Sequence, residues 1–249
     1  MTVDPRLSVV SKRLADVKRI IAVTGGKGGI GKSFTATVLA LTLARLGYRV
    51  GLLDLDLSAP SAHVILGLDE GVFPEEEKGI TPPQVHGVAF MSITYFSGDA
   101  PTPLRGTDTS NAMLELLAIT RWGALDFLMV DMPPGIGDAA MDVIRWLSRA
   151  EFLVITTASK VALETVKKVI RMLGELQKPV LGVVENMKLR ESSTVLDALK
   201  GYNVPFLGAI GFDTDLEDAI GNVDALLETD AAKQLAGIVT GKLGFTKAH

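Results

Sequence analysis

The residues with the clearest chemical potential form one glycine-rich stretch, Val23 to Ser33, which reads V-T-G-G-K-G-G-I-G-K-S. The spacing G-x-x-x-x-G-K-S/T of a phosphate-binding loop is met here by Gly26, Gly31, Lys32 and Ser33. Glycines lack a Cβ, so successive backbone N–H groups can face phosphate oxygens, and Lys32 adds a point charge for the outer phosphates. The Ser33 hydroxyl can bind Mg²⁺, whose ligands are shared among protein oxygens, phosphates and water. The stretch therefore predicts a site for a nucleoside triphosphate and magnesium.

The elements on either side of this loop have the order that such a site requires. The apolar run Ile20 to Val23 predicts a strand buried on both faces, and Ser33 to Leu46 predicts a helix. The positive end of the helix dipole would then point at the phosphates. A glycine-rich turn that merely joins a strand to a helix would not explain why a lysine and a serine also occupy the required positions.

Acidic residues end two other predicted strands. One buried strand ends at Asp54 and leads into D-L-D-L-S-A-P-S, and a second apolar strand ends at Asp131. Because ligands of α/β proteins bind at the C-terminal edge of the parallel sheet, these carboxylates are candidates for the same site. Asp131 has the position from which a carboxylate holds the Mg²⁺ shell. Asp54 and Asp56 could instead cap a short helix near His63.

The composition of the chain argues against several other classes of function. Its 249 residues are 47% hydrophobic and 22% charged, which favours one large α/β domain spanning residues 1–249. The sequence lacks a long apolar run and an apolar N-terminal signal core, so a cytoplasmic location is expected. A net charge of -4 gives no global attraction to nucleic acid or to anionic lipid. With no cysteine, the chain offers neither a thiolate ligand nor a cysteine nucleophile.

The alternation of strand and helix patterns predicts the fold class. We expect a doubly wound, mostly parallel sheet flanked by helices, with the nucleotide at the C-terminal strand edge. Other segments with strand patterns are Arg49 to Asp54, Val88 to Ile93, Phe152 to Thr157 and Pro179 to Asn186. The histidines, which are far apart in sequence and show no metal-ligand spacing, are His63, His86 and His249.

Residues 1–18 predict a short amphipathic helix that begins at Asp4 and Pro5. The apolar residues that share one face of this helix are Leu7, Val10, Leu14 and Val17. Two alternatives stay open for this face. It packs on its own domain, which is slightly favoured, or it presents an apolar stripe to a partner protein.

The stretch Lys27 to Ser33, K-G-G-I-G-K-S, resembles the deviant phosphate loop of the MinD, ParA and Mrp class of ATPases. The resemblance extends over about residues 19 to 222. It implies an ATP-dependent homodimer in which Lys27 reaches the neighbouring chain's nucleotide, although Lys27 could also be an ordinary exposed loop residue. The nucleotide-binding residues implied around the loop are Gly26, Lys27, Gly28, Gly29, Ile30, Gly31, Lys32, Ser33 and Phe34.

The same resemblance assigns roles to the acidic segments. Lys27, Lys32 and Asp56 would be catalytic, with Asp56 orienting the attacking water and Asp54 nearer the metal's water shell, or the reverse. The implied Mg²⁺ ligands, partly through water, are Ser33, Asp54 and Asp131. The segment D-M-P-P-G-I-G-D is nearly the Mrp switch II, whose implied residues are Asp131, Pro134, Gly135, Gly137 and Asp138.

Two further segments bear on the base of the nucleotide. Asn186 of V-E-N-M corresponds to an asparagine that lies beside the purine in Mrp relatives, and the backbone of Gly211 would line the adenine pocket. The pattern N-K-x-D of guanine-selective sites is absent after Asn186, so ATP is preferred to GTP. Arg105, in L-R-G, resembles part of W-R-G-P in Mrp proteins and is a candidate for a dimer or nucleotide contact.

The segment after V-E-N-M departs from the family pattern. Iron–sulfur-carrying Mrp proteins place C-x-x-C there, whereas this chain reads K-L-R-E-S-S, Lys188 to Ser193, so no iron–sulfur cluster is expected on it. MinD proteins end in a basic amphipathic helix that binds membrane. Here the segment Asp224 to Leu243 predicts one helix, in which Lys233 and Lys242 are offset by Glu228 and Asp230, so membrane attachment is not expected.

The expected function is a slowly hydrolysing ATPase switch that assists metallocentre assembly. The chain resembles the cysteine-free archaeal Mrp-type ATPases that assist nickel insertion during nickel–iron hydrogenase maturation, acting with a small nickel metallochaperone. This is the leading hypothesis. The alternatives are an iron–sulfur cluster carrier or scaffold of Mrp type and a positioning ATPase of ParA or MinD type.

Overall fold

The computed structural model describes residues 4–68, 73–97 and 107–246. Arg105 lies outside the described residues. The strands are β1 Val17–Gly25, β2 Val50–Asp54, β3 Glu75–Glu76, β4 Ile80–Thr81, β5 Gln84–Val85, β6 Val88–Ser92, β7 Leu125–Asp131, β8 Ala150–Thr156, β9 Val180–Lys188 and β10 Phe206–Gly211. The helices are α1 Arg6–Arg13, α2 Lys32–Arg45, α3 Ala62–Ile65, α4 Thr94–Ser97, α5 Thr107–Ile119, α6 Asp138–Trp146, α7 Lys160–Glu175, α8 Thr194–Ala198, α9 Leu216–Ala219, α10 Val223–Glu228 and α11 Asp230–Gly241.

Within the described residues, eight strands form the main sheet in the order β10-β9-β8-β1-β7-β2-β6-β5. All neighbouring strands run parallel except β5 and β6, which are antiparallel. From β1 the chain first moves outward to β2 and β6, then returns through β7 and crosses to β8 on the other side. This reversal opens a crevice at the C-terminal end of β1. The prediction of a doubly wound, mostly parallel sheet is confirmed.

Helices cover both faces of the sheet, which is why its strands are apolar on both sides. Along β1, Ile20 and Ala22 belong to one buried cluster, and Ile21 and Val23 belong to the other. The first cluster includes residues of α1, α5, α6 and α7, and the second includes residues of α2 and α11. None of the helices in the described residues combines the length and the apolar character that a bilayer crossing requires.

The ends of several elements differ from the sequence prediction. Strand β1 is longer than Ile20 to Val23, because its first residue Val17 already pairs with Leu125 of β7. Residues 224–243 form two helices where the sequence pattern suggested one. Thr229 has an extended backbone between them, and its side chain accepts a hydrogen bond from the Ala232 N–H. Local capping therefore divides an apolar pattern that is continuous in sequence.

The N-terminal helix α1 packs on its own domain. Val10 is buried in the same cluster as residues of α5, and Leu14 and Val17 beyond the helix are buried there as well. Asp4 lies just before the helix and accepts a hydrogen bond from the Arg6 N–H at 2.9 Å. The apolar stripe is therefore occupied within the chain, and it is not available to a partner protein in this structure.

Candidate nucleotide site

The glycine-rich loop lies between β1 and α2 and is held by residues distant in sequence. Gly31 precedes α2 with φ 86 and ψ 29, in the left-handed region. The Asn186 side chain on β9 donates a hydrogen bond from Nδ2 to the Ile30 carbonyl at 2.9 Å. On the other side, a Cβ added to Gly26 would lie 2.5 Å from the Thr165 Cβ of α7. The loop is thus fixed between β9 and α7.

Substitution of Gly31 by alanine should weaken both the loop and the fold. A Cβ there would lie 2.1 Å from Asn186 Nδ2, and the positive φ disfavours any side chain. We expect a loss of about 1–3 kcal/mol in the free energy of unfolding together with weaker nucleotide binding. Thermal denaturation and ADP titration would measure the two effects. Gly28→Ala is the matched control for stability, because a Cβ there meets nothing within 4 Å. An equal loss of stability in both variants would contradict the prediction.

A cavity of about 490 Å³ opens beside the loop, a size usual for small-ligand sites. Lys32, the first residue of α2, lines it and is only 5% exposed. Predicted residues in its wall are Gly28, Gly29, Gly31, Lys32, Ser33, Phe34, Asp56 and Pro134. The wall residues that sequence reasoning missed are Ser58, Ala59, Ser61, Ile65 and Met187. Ser58 and Ser61 belong to the segment D-L-D-L-S-A-P-S that contains Asp56, so this segment could have suggested them.

Three carboxylates lie side by side at this edge of the sheet. Asp54 and Asp131 are direct neighbours in the β2–β7 register, and Val23 at the end of β1 pairs with Asp131. Asp54 and Asp131 are fully buried, and Asp56 is 8% exposed and lines the cavity. Parallel pairing therefore brings together acidic residues that are far apart in sequence.

The hydrogen bonds of Asp54 and Asp56 separate their roles. Asp54 accepts from the Asp56 N–H at 3.0 Å and from the Ala62 N–H at 3.3 Å. Because Ala62 is the first residue of α3, the capping alternative describes Asp54 well. Asp56 accepts from the Ala59 N–H at 3.3 Å and still faces the cavity. The geometry favours Asp56 as the carboxylate that could reach a bound water.

Burial raises the pKa of all three carboxyl groups. For Asp54 the cause is burial first and the neighbouring Asp131 second. Burial raises the pKa of Asp131 to about 6, while Ser33 and Lys32 oppose the rise. For Asp56, burial is again the main cause and Lys32 opposes it. The site has more negative charge than Lys32 alone can balance, as expected where a further cation binds.

The residues present fit a magnesium ion shared with phosphate. Asp131 Oδ1 and Oδ2 are enclosed and accept no hydrogen bond of standard geometry from the described residues, although Ser33 is near enough to lower its pKa. A buried carboxylate without full hydrogen bonding is a suitable neighbour for a hydrated cation. Among the described residues, no group of three or more acidic, histidine or cysteine side chains is arranged so that it could hold a metal ion by itself. The protein would therefore hold Mg²⁺ through Ser33 and, through water, Asp131.

Asp131→Asn should stabilise the protein when nucleotide and metal are removed with EDTA. The folded-state pKa of about 6 lies above the ordinary aspartate value of 3.8. As the pH rises from 3.8 to about 6, the Asp131 carboxyl loses its proton in the unfolded chain before it does so in the folded protein. The presence of this carboxyl therefore lowers the free energy of unfolding more and more as the pH rises. The gain from Asp131→Asn should therefore grow by about 1.4 kcal/mol between pH 5 and pH 8. Urea denaturation at the two pH values would measure it.

Asp126→Asn is the matched control on the same strand. A hydrogen bond from Lys18 lowers the pKa of Asp126. The contribution of the Asp126 carboxylate to the free energy of unfolding is therefore lost only in acid, below pH 5. Asp126→Asn should reduce stability by a similar amount at pH 5 and pH 8. An Asp131→Asn gain that does not change with pH would contradict the assignment of the raised pKa to this group.

The switch residues occupy the loop between β7 and α6. Pro134 lines the cavity, and Gly135 has a φ of +78 that favours glycine. Gly137 precedes α6 and Asp138 is its first residue. A Cβ at Gly137 would meet nothing within 4 Å, so this loop is loosely packed. The geometry is compatible with a segment that rearranges with the nucleotide, and the switch role stays a prediction.

Three other predicted residues lie outside the wall of the phosphate cavity. Lys27 is exposed and forms no ion pair with a described residue. Asn186 is buried with its amide committed to Ile30, so its structural role is to hold the loop, and a base contact remains a prediction. Gly211 lines a separate depression and donates its N–H to Gln234 Oε1 at 2.7 Å. The described lining of the phosphate cavity does not include Gly211.

The sequence profile of the ParA family, described as NUBPL iron-transfer P-loop NTPase, matches residues 16–241. The chain belongs to this family. This agrees with the resemblance to MinD, ParA and Mrp proteins and with the phosphate-loop geometry. Nucleotide binding is the property of the ParA family that the site supports directly.

Curated relatives in the ParA family are named iron–sulfur cluster carrier proteins. The one from Pseudomonas fragi is 45% identical over 177 residues, covering 70% of this chain and 62% of the relative. The one from Aquifex aeolicus is 38% identical over 222 residues, covering 83% of this chain and 61% of the relative. The chain thus spans less than two thirds of either relative. These names favour the iron–sulfur alternative, and they give no support to nickel insertion or to a nickel metallochaperone.

Solved structures of similar proteins agree with the fold. A nucleotide-binding protein from Archaeoglobus fulgidus in complex with ADP gives a TM-score of 0.75 at 28% identity, covering 89% of this chain and 93% of that chain. MinD from Pyrococcus horikoshii, complexed with Mg-ADP, gives 0.67 at 23% identity, covering 92% of this chain and 98% of that chain. Because the identity to MinD is only 23%, this similarity supports the fold and nothing further.

Proposed function

We propose that this chain is an ATP-driven switch ATPase that acts as a homodimer in the delivery of iron–sulfur clusters. The observation that carries the ATPase part is the phosphate cavity, which Lys32 and Asp56 both line, with the enclosed carboxylate Asp131 near enough for the charge of Lys32 to act on its pKa. The family description and the names of the relatives support the iron–sulfur part. The ADP complex of the Archaeoglobus fulgidus protein supports nucleotide as the ligand.

Binding would use the loop amides and the start of α2. Gly28 and Gly29 line the cavity and lack a Cβ, so their N–H groups would reach phosphate oxygens without a side chain in the way. Lys32 would contact the outer phosphates, and Ser33 and Asp131 would hold the shell of the bound metal. When bound, Mg²⁺ neutralises charge on the β- and γ-phosphates.

Hydrolysis would transfer the γ-phosphoryl group to water. The water oxygen bonds to phosphorus, the bond from phosphorus to the bridging oxygen breaks, and ADP leaves with that electron pair. Asp56 orients the water and accepts its proton, which passes to the released phosphate. Burial raises the pKa of Asp56, so its carboxylate accepts a proton more readily than an ordinary aspartate does.

The exposed Lys27 and the loosely packed switch loop support a dimer that responds to nucleotide. Lys27 has no partner among the described residues to hold it within its own chain. A neighbouring chain's triphosphate would provide a partner of opposite charge. Loss of the γ-phosphate would release the loop at Pro134 and Gly135, and the dimer would then weaken.

The cluster ligands would come from a partner protein. Thiolates are the usual ligands of iron–sulfur clusters, and this chain has no cysteine. The cluster would therefore be cargo, and the chain would drive its transfer between the proteins that hold it. The structural likeness to MinD concerns the fold alone and gives no separate reason to propose a positioning function.

The test combines light scattering with cluster transfer under anaerobic conditions. We expect a dimer with ATP, a monomer with ADP, and only a monomer for Lys27→Ala, with Lys168→Ala as an exposed lysine control on α7. A mass that is the same with ATP and with ADP would contradict the proposed ATP-dependent dimer. The chain should also accelerate transfer of a cluster from a scaffold protein to an apo-ferredoxin, but only when ATP is present. Visible absorption of the ferredoxin cluster would measure this transfer. Equal transfer without the chain would overturn the iron–sulfur role while leaving the ATPase intact.

A further inference from the structure

A second cavity, which the ATPase site does not use, lies at the C-terminal ends of β8 and β9. Its volume is about 540 Å³. Its wall is formed by Thr157, Ala158, Ser159, Glu185, Met187, Lys188, Leu189, Arg190, Ser192 and Thr194. The wall therefore contains several hydroxyl groups, three apolar side chains, two basic side chains and one buried acid.

Glu185 is the unusual member of this wall. It is only 1% exposed, and its Oε1 atom is enclosed with no hydrogen-bond partner among the described residues. It pairs with Thr156 of β8 and with Ala209 of β10, so it lies within the sheet and not on a flexible loop. A buried carboxyl group in this state is costly unless it meets a donor or a cation.

The strand geometry places Glu185 on the opposite face from the phosphate loop. Val183 belongs to the buried cluster on the α6 and α7 side, and Val184 belongs to the cluster on the α2 side. Side chains alternate along a strand, so Glu185 shares the side of Val183, and Asn186 shares the side of α2, where it holds Ile30. The two neighbouring polar residues therefore lie on opposite faces of the sheet.

Charges around Glu185 leave it available for a cation. Burial raises the pKa of its carboxyl group, Lys188 opposes the rise and Glu191 adds to it. Lys188 Nζ is already paired with Glu191 Oε2 at 3.0 Å. Arg190 is exposed at the rim. A cation that reached Glu185 would find the carboxyl group itself unpaired, with hydroxyl oxygens of Ser159 and Thr157 in the same wall.

We propose that this cavity receives a lysine or arginine side chain of a partner protein, with the charged head on Glu185. Long basic side chains have an apolar stem and a charged end, which matches apolar Met187 and Leu189 above a buried acid. The exposed apolar rim indicates a polypeptide and not a free small cation. Leu189 is 76% exposed, and the apolar residues Val161 and Leu196, each two positions along the chain from a wall residue, are exposed as well. The proposal is independent of the identity of the cargo.

Met187 connects the two cavities. Its side chain is part of the wall of the phosphate cavity and of the Glu185 cavity. It also has a φ of 56, in the left-handed region, so its position is fixed by the surrounding structure. A partner side chain seated on Glu185 would therefore contact a residue that also bounds the nucleotide site.

The test uses N-acetyl-arginine amide as the probe and N-acetyl-citrulline amide as its uncharged analogue. Protein carrying carbon-13 methyl-labelled methionine would be titrated by NMR, with the Met187 methyl signal identified through Met187→Leu. The arginine probe should shift this signal saturably and bind at least about tenfold more tightly than the citrulline probe. Glu185→Gln should remove that difference. Glu175→Gln, an exposed acid at the end of α7 that is not part of the cavity wall, should preserve it.

Three outcomes would overturn the proposal. They are equal affinity for the two probes, an unchanged arginine affinity in Glu185→Gln, and the absence of a saturable Met187 shift. Self-association of the chain that disappears in Glu185→Gln would place a second copy in the cavity and overturn the assignment to a different protein. None of these outcomes depends on ATP hydrolysis, so failure here can be distinguished from failure of the proposed ATPase function.

Discussion

Lys32→Ala is expected to reduce ATP turnover by about 10²–10³-fold and to weaken ATP binding by about 10–100-fold. Lys32 is the one lysine among the described residues that line the phosphate cavity, and it is almost fully buried there. Its charge acts on the phosphates with little screening by water. Lys32→Arg should not restore activity, because the planar guanidinium is larger and differs in shape from a point charge. Steady-state hydrolysis and ATP titration would measure these effects.

A change in folding must be separated from this loss of function. Lys32 opposes the raised pKa of both Asp56 and Asp131, so its removal raises both values further. The nucleotide-free variant should still unfold cooperatively, since the neutral acids need no counter-ion. Lys200→Ala is the control, because Lys200 lies on the surface and pairs with Asp197. ATP binding by Lys32→Ala at the level of the unchanged protein would disprove the central role of this lysine.

Asp56→Asn is expected to reduce turnover by about 10²–10⁴-fold and to leave ATP bound. Asparagine keeps the shape of the side chain and can still accept the hydrogen bond from Ala59, but it cannot take a proton from water. Removal of one negative charge near the triphosphate should make binding slightly tighter. Single-turnover hydrolysis with ATP in excess over its dissociation constant would isolate the chemical step.

Asp54→Asn decides which of the two acids orients water. Asp54 accepts two backbone hydrogen bonds, from Asp56 and Ala62, and the amide that replaces one oxygen cannot accept. We expect a loss of about 1–3 kcal/mol in stability with a smaller loss of turnover than in Asp56→Asn. A stable Asp54→Asn protein that is inactive, beside an active Asp56→Asn protein, would exchange the two roles.

Sequence reasoning identified the phosphate loop because its chemistry is local. Gly31, Lys32 and Ser33 act through backbone conformation and side-chain type within a few residues, and such features are visible in a motif. The prediction of the ends of β1 was less accurate, and so was the prediction of a single helix where the structure has α10 and α11. Those boundaries depend on pairing with β7 and on the Thr229 cap, which an apolar pattern does not encode.

Sequence alone determined that this protein is a doubly wound α/β phosphate-binding protein with acidic residues at the strand ends, since periodicity and short motifs specify these features. Tertiary structure decided which residues meet. It placed Asp54 beside Asp131, turned Asn186 toward Ile30 and left Glu185 enclosed over a second cavity. These contacts join segments up to 156 residues apart. They follow from the order in which strands pair and from the alternation of side chains across the sheet, which are set only when the whole chain packs.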